Sequence, residues 1–146
     1  MNPNQKSVSV PQAVIHHDAA LRVIQAAVTR AEALGIRVCV AVVDSAGTLA
    51  GFVRMPGAFL ISGEIATRKA HSTAAIGVPA ELVEQALAQE APRVREGIVL
   101  AGFYLIRGAA ALRDGEDMLI GAVGVSGGSE SQDVECAQAA AAALQM

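Results

Sequence analysis

The sequence predicts an α+β domain: a mainly antiparallel sheet of about five strands flanked by helices. Three observations predict it. The apolar stretch "IRVCVAVVD" is followed by "SAG" and by a second strand-like stretch, "TLAGFVRM", so a tight hairpin with antiparallel pairing is required. Helical patterning opens and closes the chain, from Asp18 to Leu34 and from Ser129 to Leu144. Strand and helix do not alternate regularly, which excludes a doubly wound parallel sheet.

The elements follow in order. Residues 1–13 read as an N-terminal arm and residues 14–146 as a single domain, with no internal repeat and no linker. Ala20, Val23, Ile24, Ala27, Val28, Ala31 and Leu34 recur at helical spacing; Asp18 suits the start and Gly35 the left-handed stop. After the hairpin, Ser62 is placed to cap a second helix, "GEIATRKAHSTAAIG", which Gly77 ends. Pro79 suits the first position of a third helix, "AELVEQALAQE". The segment "GIVLAGFYLIRGAAALRDGED" reads as strand material with a turn at Asp114–Gly115, and "MLIGAVGVS" as a further strand.

Composition narrows the functional classes. Hydrophobic residues make up 53% and charged residues 17% of the 146 positions, so the chain folds, and its low charge suggests surface hidden in a homo-oligomer. A net charge of −3 without a basic block gives nucleic acid no electrostatic footprint. The apolar runs are too short for a bilayer span. The polar start, "MNPNQKSVSVPQ", lacks the apolar core of a secretion signal, so a cytoplasmic location is expected. Cys39 and Cys136 stand in apolar contexts without metal-ligand spacing; they read as buried free thiols, and no structural metal is expected. Aromatic residues are only 3%, so small aliphatic side chains must fill the core and elements must approach closely.

Chemistry concentrates in a few places. "GAVGVSGGSESQD" ends an apolar strand at a glycine turn that runs into a capping box, Ser129 to Gln132. It lacks the elements of a nucleotide loop. Amides at Ser126, Gly127 and Gly128 could receive a ligand carboxylate, or Ser129, Glu130 and Asp133 could satisfy those donors themselves. On the second helix Lys69 falls among Ile65, Ala66, Thr73 and Ile76, whereas Glu64, Arg68, His71 and Ala75 share another side. A lysine on an apolar stripe must snorkel or meet an anion. Arg54 sits at a strand end on the face of Phe52, where it could pair a carboxylate bidentately or meet Asp44 or Glu64. His71 and Met55 are each chemically able to ligate haem. The adjacent His16 and His17 have no third ligand spaced to join them.

"VAVVDSAGTLAGFVRMPGA", "SGEIATRKAHSTA" and "LIGAVGVSGGSESQDVECAQAAAAAL" resemble the GlcG/HbpS family, which includes the C-terminal domain of PduO-type proteins. The resemblance covers roughly residues 14–146 and rests on positions such as Asp44, Gly47, Arg54, Met55, Lys69, Gly121 to Gly127 and Asp133. It implies a five-stranded antiparallel sheet with flanking helices, and homo-oligomers from dimers to octamers. It implies haem binding or degradation in some members and catabolism of small, aromatic-pathway or halogenated carboxylates in others. The family's Gly-Gly-x-Pro before the penultimate strand is "RGAA" here, so Arg107 and Ala110 break the pattern.

Three functions remain open on these grounds. The first is a cofactor-independent hydrolase or dehalogenase whose carboxylate substrate is held by Arg54, Lys69, Arg107 and the Ser126–Gly128 amides, with His71, Lys69 or Asp44 as base. The second is a haem protein with His71 or Met55 near the iron. The third is a non-catalytic ligand-binding subunit.

Overall fold

The computed structural model describes residues 6–145, so the expected arm over 1–13 lies partly outside the described residues. Helix α1, His17–Leu34, buries Ala20, Val23, Ile24, Ala27 and Ala31, the stripe its spacing predicts. The cap differs from expectation: His16 is the N-cap and its Nδ1 accepts the Asp18 N–H at 3.1 Å, while Asp18 lies in the first turn. Gly35 stops the helix at φ 72°.

Strands β1, Cys39–Asp44, and β2, Leu49–Arg54, form the hairpin. Strand β3 is Ala109–Arg113 and β4 is Leu119–Ser126. The sheet is antiparallel and four-stranded, in the order β2-β1-β4-β3. The expected fifth strand is absent among the described residues, because part of the segment assigned to it is helical. Helix α4, Pro92–Leu100, and an irregular stretch fill residues 92–108. Helix α2 runs over Leu60–Ile76 and ends at Gly77 as expected. Its N-cap is Phe59, without a side-chain bond, so Ser62 is not the cap. Pro79 is the N-cap of α3, Ala80–Leu87, one place before the position expected. Helix α5, Glu130–Ala142, opens on the complete Ser129–Gln132 capping box.

The sheet separates two cores. Val38, Val40, Val42, Val123 and Val125 pack with α1 and α5 on one face. Cys39 and Ala41 meet Ala58 and Ala66 on the other, and Val43 and Ala122 meet Ala70 and Ala74 of α2. Small residues let α2 lie almost directly on the backbone of β4. Helix α4 buries no residue, and of the larger helix–helix and helix–strand contacts it makes only those to α3.

Both cysteines are free and buried, as the sequence implies. Burial, then the charges of Asp133 and Glu135, push the Cys136 thiol up to about 11. Neither thiol is expected to react with Ellman's reagent near neutral pH until the protein unfolds. Stoichiometric labelling of the native protein within the mixing time would contradict this packing.

Candidate ligand-binding site

The glycine turn is an anion site, and its anion belongs to the chain. Asp133, one turn into α5, is buried; its Oδ1 accepts the Gly128 N–H at 2.9 Å. Its Oδ2 lies 3.0 Å from Lys69 Nζ, which also donates to the Val125 carbonyl at 2.8 Å. The two side chains are 1% and 5% exposed. Burial raises the Asp133 pKa, and Lys69 with the turn amides opposes that shift. Ser129 N–H meets Gln132 and Gln132 N–H meets Ser129, which fills further donors of the helix start. Ser126 is itself buried. Of the two readings of this turn, a ligand carboxylate at Ser126, Gly127, Gly128 and Lys69 is corrected and the internal one holds: Asp133, with the Ser129 cap, already occupies that place. The buried lysine was legible from its position on the helix, but its partner, 64 residues away, was not.

The other expected cations go elsewhere. Arg54 Nη2 donates to the Ala58 carbonyl at 2.9 Å, so it does not converge with Lys69 on a shared anion. Arg107 pairs with Glu84, lies 3.8 Å from Glu81 and donates to the Leu105 carbonyl at 2.8 Å. The Arg107 hydrogen bond is the main cause holding the Glu84 carboxyl below its usual range. This arginine fastens α3 to the loop before β3 rather than facing a ligand. Asp44 Oδ1 accepts the N–H groups of Ala46 and Thr48 at 2.9 and 3.0 Å, so it shapes the hairpin turn. Met55 Sδ lies 3.4 Å from the Val38 N–H, and the residue lines a different cavity from His71. His71 and Met55 therefore do not face a common centre.

His71 stands at the junction of two adjoining cavities. The larger, about 720 Å³, lies between the outward side of α2 and the β2 edge, with Leu49, Phe52, Thr67 and Arg68 in its lining. The smaller, about 270 Å³, runs under the end of α4, where Ile98 and Phe103 wall it. His71, Ala101 and Gly102 line both. The imidazole is exposed and rests on the β1–β2 turn; a Cβ on Gly47 would come within 3.2 Å of its Nε2. Phe52 packs against α2 at Gly63, where a Cβ would come within 3.2 Å of its ring. Helix spacing puts Glu64, Arg68 and His71 together, whereas the place of Phe52 against α2 comes from the fold. The α4 wall was missed, because that segment read as strand.

The other two histidines lie at the start of α1, and the expectation that no third ligand joins them is corrected by Asp18. Ligand atoms of His16, His17 and Asp18 fall within 4.8 Å of one another, all exposed. The His16 Nδ1 is already committed to the helix cap.

The family model for the haem-degrading protein HbpS-like matches residues 15–142. The chain belongs to the HbpS-like family. Among HbpS-like relatives, the corrinoid adenosyltransferase PduO of Salmonella typhimurium is 35% identical over 144 residues, 97% of this chain. The aligned part is 42% of PduO, so the chain spans under half of that relative's length. A crystal structure of a PduOC–haem complex is 32% identical, covers 90% of this chain and 95% of its own, and superposes with a TM-score of 0.79. A double mutant of Streptomyces reticuli HbpS is 27% identical, with coverage of 96% and 93% and a TM-score of 0.83. No helix among the described residues of this HbpS-like chain is long and apolar enough to cross a membrane.

Proposed function

We propose that the chain binds haem in the groove at His71. The observation that carries this reading is the exposed imidazole at the junction of two contiguous, largely apolar cavities. Their sizes, about 720 and 270 Å³, fall in or near the range of small-molecule sites of roughly 300–1,000 Å³. The residues suit the group: Leu49 and Phe52 offer one apolar wall, Phe103 and Ile98 another, and His71 a nitrogen ligand. The haem-bound relative supports the reading. When bound, haem would supply redox and ligand-exchange chemistry at its iron. The chain's own part is to present the imidazole and to exclude water with Phe52 and Phe103. The hydrolytic reading loses support, since Lys69 and Arg107 are paired with acids and Asp44 holds a turn.

The reading includes self-association. Phe59, Leu60 and Ile61 are 68%, 87% and 63% exposed, and Leu100 is 90% exposed. A partner surface of a homo-oligomer would cover them.

Haemin titration is expected to give a saturable Soret shift and a rise in melting temperature. His71→Ala should remove the histidine-ligand spectrum and weaken binding at least about tenfold, since this imidazole would hold the iron. An unchanged spectrum and affinity in His71→Ala would refute the assignment.

A further inference from the structure

We propose that Arg68 recognises a carboxylate of the ligand in this groove, exchanging Glu64 for an acidic substituent while His71 holds the ligand's centre. The inference rests on the haem reading above and names the residue that selects for the acid groups of the porphyrin edge.

Arg68 and His71 are three residues apart on α2, so both project to the same side of the helix. Both line the larger cavity. Among its lining residues, Arg68 carries the one permanent positive charge and Glu64 the one carboxylate. The lining of the adjoining cavity adds no acidic or basic side chain beyond the shared His71. The remaining nearby cation on α2, Lys69, is turned inward to Asp133.

The guanidinium is placed in advance. It lies 5.8 Å from the centre of the Tyr104 ring. Tyr104 is tied back to α2 by its N–H, which donates to Ser72 Oγ at 2.8 Å. Arg68 Nε and Nη2 both end on the same Glu64 oxygen, at 3.1 and 3.0 Å. The side chains of Arg68 and Glu64 are 50% and 64% exposed, so water screens their attraction and the pair is weak. A ligand carboxylate brought partly out of water by the apolar walls offers the guanidinium fork a bidentate partner. Glu64 then competes with the ligand, and its charge opposes the approach of a second acid.

The test compares haemin with haemin dimethyl ester, whose acid groups are blocked. Arg68→Gln is expected to weaken haemin binding about tenfold, the effect of losing a charge-assisted bidentate contact, and to leave the ester's affinity unchanged. Arg68→Lys should fall between, since it keeps the charge and loses the fork. Glu64→Gln should tighten haemin and not the ester. Arg68 is exposed, and a melting curve checks that each variant folds. Equal weakening of both porphyrins in Arg68→Gln, or of neither, would overturn the proposal while leaving His71 as the ligand. His71→Ala with unaltered spectra for both porphyrins would remove the site itself, and the role of Arg68 with it.

Discussion

Replacing Lys69 with methionine is expected to destabilise the fold by about 3–5 kcal/mol, the usual effect of stranding one member of a buried ion pair. Asp133 would be left 3% exposed with only backbone donors beside it. The melting temperature should fall by roughly 10 °C or more in a domain of this size. The pair with Asp133→Asn identifies the mechanism. Asparagine keeps an oxygen for the Gly128 N–H and removes the charge, so Lys69→Met/Asp133→Asn should regain part of the loss. Urea unfolding followed by circular dichroism measures all three proteins. A loss below about 1 kcal/mol in Lys69→Met, the range of a surface pair, would mean that the pair is solvated.

Gly124→Ala should be comparably damaging, by about 3 kcal/mol, the upper end of overpacking because the obstacle is rigid backbone. A Cβ there would lie 2.1 Å from the Ala66 carbonyl oxygen and 2.7 Å from the Ala70 nitrogen. No side chain can move aside, because the obstacle is the main chain of α2. Helix and sheet would have to separate, opening the alanine-lined core between them. Gly115→Ala is the control: nothing lies within 4 Å of its Cβ position, and it should melt within a few tenths of a kcal/mol of the parent. A Gly124→Ala protein as stable as that control would show that α2 does not sit so close.

The hairpin, α1, α2 and α5 were readable because each carries its own local signal: alternation, a 3.6-residue stripe, a glycine stop or a capping box. Residues 92–108 were not. Gly97, Gly102 and Gly108 break the segment, and its apolar residues form no buried stripe, so a short helix and a strand look alike there. The site divides the same way. His71 and Arg68 share a helix face, which spacing alone reveals, while Phe52 meets that face only through the tertiary packing of β2 on α2. What Lys69, Arg54 and Arg107 do depends on partners brought by the tertiary fold. A cation on an apolar face shows that an acceptor is needed, but not whether Asp133, the Ala58 carbonyl or a ligand supplies it. The low charge content was consistent with exposed apolar surface at Phe59, Leu60 and Ile61, but composition could not place it.

The two sides of α2 answer to different demands. Ala66, Lys69, Ala70 and Thr73 are fixed by the sheet beneath them, whereas Glu64, Thr67, Arg68 and His71 face outward and support little of the core. Recognition and foldability are thereby written on separate registers of one helix. Descendants of this chain could trade one guest for another by altering the outer register, without renegotiating the architecture that holds it up.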